Sequence, residues 1–183
     1  VNPNDEVMGT TSGSGDYAEG SQTEISATPA EHYHFVKWSD ESTDNPRTIT
    51  VMSDSTFTAV FAINQYTVTI VSANETMGIV SDGGTYDYGT EIQILATPYE
   101  GYSFVRWDNG YTDNPHTVIV IEDVVYTASF GLSHTITVIS SDETMGTVSG
   151  NGIYGEGALV EISAYSVEHY HFTQWNDGNT DNP

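Results

Sequence analysis

The stretch WDNGYTDNP at residues 107–115 has two counterparts in the same chain, WSDESTDNP at 38–46 and WNDGNTDNP at 175–183. Trp38, Trp107 and Trp175 stand 69 and 68 residues apart, and the Met-Gly pairs beginning at Met8, Met77 and Met145 keep that spacing. Two markers with one period define a tandem repeat and fix its register.

In the middle copy, YTVTIVS (66–72) alternates and is rich in Val, Ile and Thr, which suit a half-buried pleated surface. A Gly-Gly turn follows Asp82, and a strand is predicted over 91–96 with Ile92 and Ile94 on one face. YSFVRW (102–107) runs into the Asp-Asn-Gly turn. HTVIVI (116–121) and VYTASF (125–130), parted by Glu122 and Asp123, read as a closing hairpin. No stretch of helical length keeps a 3.6-residue period free of Gly, Pro or β-branched interruption, so little or no helix is expected. The predicted fold is all-β: a tandem array of small modules of about 68 residues, each β-grasp-like or a small sandwich.

The register places the modules at 1–63, 64–131 and 132–183, the first lacking its first strand and the third its closing hairpin. Truncation inside modules exposes strand edges, so the chain reads as part of a longer protein whose other domains are its first partners. Four residues separate Phe61 from Tyr66 and three separate Phe130 from His134, too few for a free tether. Consecutive modules are therefore expected in a restricted orientation, a rod of roughly 30 Å per module and about 80 to 90 Å in all.

Of 183 residues, 26 are acidic and only Lys37, Arg47 and Arg106 are basic, for a net charge of −23. Such a surface repels nucleic acid and anionic membranes. Charged residues are only 16% of the chain, so the acidity reflects missing Lys and Arg rather than an acidic disordered tail. With no cysteine there is no disulfide and no thiolate chemistry. No apolar run approaches the roughly 20 residues of a membrane-spanning helix. A monomer is expected.

The repeated phrase also holds the candidate sites. Asp108, Asn109, Asp113 and Asn114 put hard oxygens on one loop, which suits calcium, but the same residues are those that turns require, and no copy has the order of a dedicated calcium loop. No other cofactor is expected. EHYH, at 31–34 and again at 168–171, would put two histidines on one strand face, the start of a transition-metal site; the middle copy has Gly101 and Ser103 there. The tryptophans raise a question of phase: if Tyr102 and Phe104 point one way, Trp107 points the other unless a bulge intervenes. Trp38, Trp107 and Trp175 then either pack or offer a glycan or host protein a stacking face. No nucleophile, metalloprotease or phosphate-loop motif is present, so no enzyme is expected.

MGIVSDGGTYDYGTEIQILATPYEGYSFVRWDNGYTDNPHTVIV (77–120), with its counterparts on either side, resembles the divergent internalin-type B-repeats of bacterial surface and secreted proteins. The shared signature is Gly, a turn, Tyr, Gly-Thr, alternating apolar residues, Ala-x-Pro, Gly-Tyr-x-Phe-x-x-Trp, an Asp-Gly turn and Asn-Pro. His32 and His169 depart from it where the family has glycine before the tyrosine, and Tyr165-Ser166 departs where Thr28-Pro29 and Thr97-Pro98 follow it. The resemblance implies an extracellular β-rich repeat used as a stalk or adhesive segment, and it brings no catalytic residues.

Overall fold

A computed structural model describes residues 1–183, and no residue in it is helical. The chain divides into two compact units. The first comprises Val1–Val68, Gly84–Ile92 and Ile119–Val124; the second comprises Thr69–Gly83, Gln93–Val118 and Val125–Pro183.

Within the first unit, the first repeat forms β1 (Asn2–Pro3), β2 (Gly9–Ser12), β3 (Gln22–Pro29), β4 (Tyr33–Trp38), β5 (Arg47–Thr50) and β6 (Thr58–Ile63). They sort into two three-stranded sheets, β1-β6-β4 and β2-β3-β5. Ile25 and Ala27 on β3 meet Trp38 on β4 and Ala59 and Phe61 on β6, with Met8, Phe35, Ile49 and Phe57 packed around them. A core between two sheets makes this module a small sandwich, the second of the two architectures expected.

The closing hairpin does not form. In the first repeat, β5 pairs antiparallel with β3, from Gln22↔Thr50 to Ile25↔Arg47, while β6 pairs with β4. Alternation tells which face of a strand is apolar but not which sheet the strand joins. Joining β5 and β6 in one sheet would strip the β2-β3 layer of its third strand and uncover Ile25.

The second repeat continues with β7 (Gln65–Ser72), β8 (Gly78–Val80), β9 (Gly84–Asp87), β10 (Glu91–Ile94), β11 (Ala96–Pro98), β12 (Tyr102–Trp107), β13 (His116–Ile119) and β14 (Val124–Ile136). Here too the expected hairpin partners separate: β13 pairs with β10, and β14 lies between β12 and β7. The Gly-Gly step likewise marks a change of partner, since β8 pairs with β11 and β9 with β7. The third repeat adds β15 (Gly146–Ser149), β16 (Gly152–Gly155) and β17 (Ser163–Ser166), with β15 on β17 and β16 on the end of β14.

One repeat passes into the next without a linker. Asn64 alone separates β6 from β7, and β14 serves both repeats, pairing with β12 from Tyr102↔Leu132 to Trp107↔Ala128 and with β16 from Ser133↔Gly155 to Ile136↔Gly152. The Met-Gly marker has a packing cause. A β-carbon on Gly9 would lie 2.6 Å from the Phe61 ring and 2.7 Å from the Thr28 carbonyl; on Gly78 it would lie 2.6 Å from the Phe130 ring and 2.8 Å from the Thr97 carbonyl.

Candidate functional site

The phrase that defines the repeat folds the same way three times. After each tryptophan the chain turns back, with Trp38 N–H donating to Ser42 O at 2.8 Å, Trp107 N–H to Tyr111 O at 2.8 Å and Trp175 N–H to Asn179 O at 2.8 Å. The turn needs one residue at positive φ, supplied by Gly110 (92°) and Gly178 (87°) but by Glu41 (70°) in the first copy. Each indole then donates Nε1–H to the main-chain oxygen of the following Asp: Asp44 at 2.9 Å, Asp113 at 3.1 Å and Asp181 at 3.0 Å. A buried indole N–H needs such a partner, and the loop provides it.

The next residue closes the loop on the opposite strand. Asn114 Oδ1 accepts the Ala96 N–H at 2.9 Å while its Nδ2 donates to Ala96 O at 2.6 Å. Asn45 does the same with Ala27, and Asn182 with Ala164. A carboxamide carries a donor and an acceptor side by side, as a β-strand residue does, so it satisfies both main-chain groups of one residue. The Asn-Pro bond that follows is cis in every copy.

These contacts define what the four loop residues do. Asn114 is committed to Ala96, Asn109 Oδ1 accepts the Tyr111 N–H at 3.3 Å, Asp108 donates its N–H to Thr127 O and Asp113 supplies its carbonyl to the indole. These contacts engage the side chains of Asn109 and Asn114 but only the main chain of Asp108 and Asp113, and no group of three or more His, Asp or Glu side chains converges in the structure.

A β-bulge answers the question of phase. The register of β12 on β14 shifts between Phe104 and Arg106, and that of β4 on β6 shifts between Phe35 and Lys37. The extra residue, Val105 or Val36, points outward at 47% and 37% exposure, and the tryptophan returns to the inner face. There Trp38 lies 5.4 Å from Phe35 and Trp107 lies 5.3 Å from Phe104, ring centre to ring centre. Both have 0% exposure, so neither has a face left for a glycan. Trp175, 4.9 Å from Phe172, is half-buried.

The paired histidines are corrected by the backbone. His32 and His169 lie at φ 69° and 73°, the left-handed position that Gly101 fills at 84°, and β4 begins only at Tyr33. His32 and His34 therefore do not share a strand face. His32 instead stacks on Tyr88 with ring centres 3.6 Å apart, and His34 Nδ1 is 3.0 Å from Asn64 Oδ1.

Two of the three basic residues are also structural. Arg47 lies over the Trp38 ring at 5.5 Å and the Phe57 ring at 4.8 Å, and pairs with Asp40 at 2.8 Å. The hydrogen bond from its guanidinium holds the Asp40 carboxyl below its ordinary range. Lys37 pairs with Glu41 at 2.7 Å on the exposed face of the same loop. The roles of Asn45, Asn114, Arg47, Asn64 and Tyr88 escaped sequence reasoning. The signal for Asn45 and Asn114 was their constant place seven residues after the tryptophan.

A recurring polar phrase whose asparagine side chain and main-chain groups fasten a tryptophan and a neighbouring strand defines a class: all-β tandem repeats whose signature residues build the fold. A family model described as the divergent InlB B-repeat domain matches residues 1–65, 66–133 and 136–182, nearly the whole chain, and the chain belongs to that family. The family suggests a repeat domain of bacterial surface or secreted proteins. No curated protein and no solved structure matches the chain.

Proposed function

We propose that these repeats are a non-catalytic extracellular spacer, holding other domains of a longer surface or secreted protein at a set distance and orientation. The observation that carries this reading is the absence of a linker: β14 is one 13-residue strand shared by two repeats, and β6 and β7 are parted by one residue. Bending a repeat boundary then means breaking strand pairs rather than turning a flexible tether. The burial of Trp38 and Trp107 and the commitment of the Asn45 and Asn114 side chains to main-chain groups favour a structural role for the signature over a ligand-binding one. A net charge of −23 keeps such a spacer soluble and off polyanionic surfaces.

Small-angle X-ray scattering on the chain tests the reading. A spacer gives a single elongated particle with a maximum dimension of about 80 to 90 Å, unchanged by moderate salt. A profile that needs an ensemble of folded-back shapes would overturn it.

A further inference from the structure

We infer that the stacked pair His32–Tyr88 is a clasp that stiffens the joint between the first two repeats, and that the joint between the second and third, which lacks it, is the more compliant one. This deepens the spacer reading by grading stiffness along the array, but the clasp is measurable whatever the array carries.

At the first joint, β4 and β9 lie end to end on the same edge of the β6-β7 strand. Tyr33 pairs with Ile63 and Asp87 with Gln65, leaving Asn64 opposite the gap. Asn64 bridges that gap through its backbone, donating N–H to His32 O at 2.8 Å and accepting the Tyr88 N–H at 2.8 Å. The rings of His32 and Tyr88 then close over it, 3.6 Å apart and 9° from parallel, with Tyr66 edge-on to Tyr88 at 6.4 Å. His34 adds its contact to the Asn64 side chain.

The second joint keeps the backbone and drops the side chains. Ser133 donates to Gly101 O at 3.0 Å and Glu156 donates to Leu132 O at 2.8 Å. Gly101 stands where His32 does, Ser103 replaces His34, and Glu156 replaces Tyr88. An open groove of about 580 Å³ lies at this joint, lined by Tyr99, Gly101, Tyr102, Ser103, Ser133 and Ile153 among others.

A residue with a β-carbon is disfavoured at the left-handed position, and Gly101 shows the residue that position prefers. His32 occupies it at 69° with its ring stacked on Tyr88 and its Nε2 3.6 Å from Glu31 Oε1, whereas His169 occupies it at 73° with no ring against it.

The chain has no cysteine, so spin labels can be placed at will. Labels at E24C and Q93C span the first joint, and labels at Q93C and E161C, which are repeat-equivalent and exposed, span the second. We expect a narrower distance distribution across the first joint, broadened by Tyr88→Leu to match the second. Equal widths in the unaltered chain would overturn the inference. Hydrogen exchange at the Asn64 and Tyr88 amides supplies an independent cycle. Tyr88→Leu lowers protection about 2- to 12-fold. His32→Gly raises protection in the Tyr88→Leu background, because strain is relieved with no stack to lose, and raises it less or lowers it in the native background. Additive effects of the two changes would refute coupling between the rings. Elongated scattering with additive effects would leave the spacer standing and remove the clasp; bent scattering with coupled rings would do the reverse.

Discussion

Replacing Asn114 with alanine tests whether the signature loop is a fastener or a metal site. The substitution removes two hydrogen bonds, at 2.9 and 2.6 Å, from the main chain of Ala96, which is 2% exposed. Each neutral bond contributes about 0.5–1.5 kcal/mol net, and each buried group left without a partner costs about 1–3 kcal/mol. Water reaches part of this edge, so the lower half of the range applies and the sum is about 2–4 kcal/mol. With a urea slope of about 1–3 kcal/mol per molar, the midpoint for this region falls by about 1–2 M. Hydrogen exchange at the Ala96 amide reads the same loss locally, because that N–H is the one Asn114 accepts. Asn182→Ala is the internal control. Its pair to Ala164 is solvent-exposed, so water replaces the lost bonds and the cost falls below about 1 kcal/mol. Calcium separates the two readings. A fastener gives the same loss with calcium or with EDTA, whereas a metal site gives a calcium-dependent midpoint in the native chain that the variant abolishes. Either that dependence or a shift under about 0.3 M would refute the account of the loop.

Three further outcomes follow from the same contacts. Gly78→Ala drives a β-carbon into the Phe130 ring and the Thr97 carbonyl, at 2.6 and 2.8 Å, and is expected to cost about 1–3 kcal/mol in a thermal or urea melt; a neutral result would mean that the sheets separate freely at this point. Acrylamide is expected to quench only Trp175, because Trp38 and Trp107 have no exposed surface, so Trp175→Phe should remove the quenchable emission; quenching that persists would place a buried indole in solvent. Asp40 carries a depressed pKa through Arg47, so the pair's stabilisation of the first repeat is fully present above the ordinary aspartate range and is lost as pH falls through the depressed value. The Asp40 carboxylate is 45% exposed, so the effect is small although Arg47 is largely buried. Asp40→Asn should flatten the acid limb of the first repeat's melting curve, and an unchanged limb would mean that the pair contributes nothing.

The repeat, the absence of helix and most strand positions were legible because they rest on local features. YSFVRW occupies β12 residue for residue, and YTVTIVS lies within β7. Partnership was not legible. HTVIVI and VYTASF each show the alternation of a strand, and a short acidic break between them suits a hairpin, yet the two strands belong to different sheets. The layer a strand joins is fixed by which apolar faces remain uncovered in three dimensions, and alternation does not encode that.

Alternation alone leaves the phase of the tryptophan open, and the aromatic spacing closes it. Aromatic residues at 102, 104 and 107 are spaced two and then three, as they are at 33, 35 and 38. A strict strand cannot put all three on one face, but a strand with one extra residue can. Val105 and Val36 disguise that residue, because an apolar side chain at the outward position reads as core. The bulge twists the strand just before the loop that returns to take the indole N–H and pair with Ala96. The bulge, the buried indole and the polar phrase are thus one device: the bulge turns the ring inward, burial requires a partner for its N–H, and the Asp-Asn loop supplies that partner while tying the two sheets together. The same needs recur in the first two modules, and the third keeps the loop's contacts to Trp175 and Ala164.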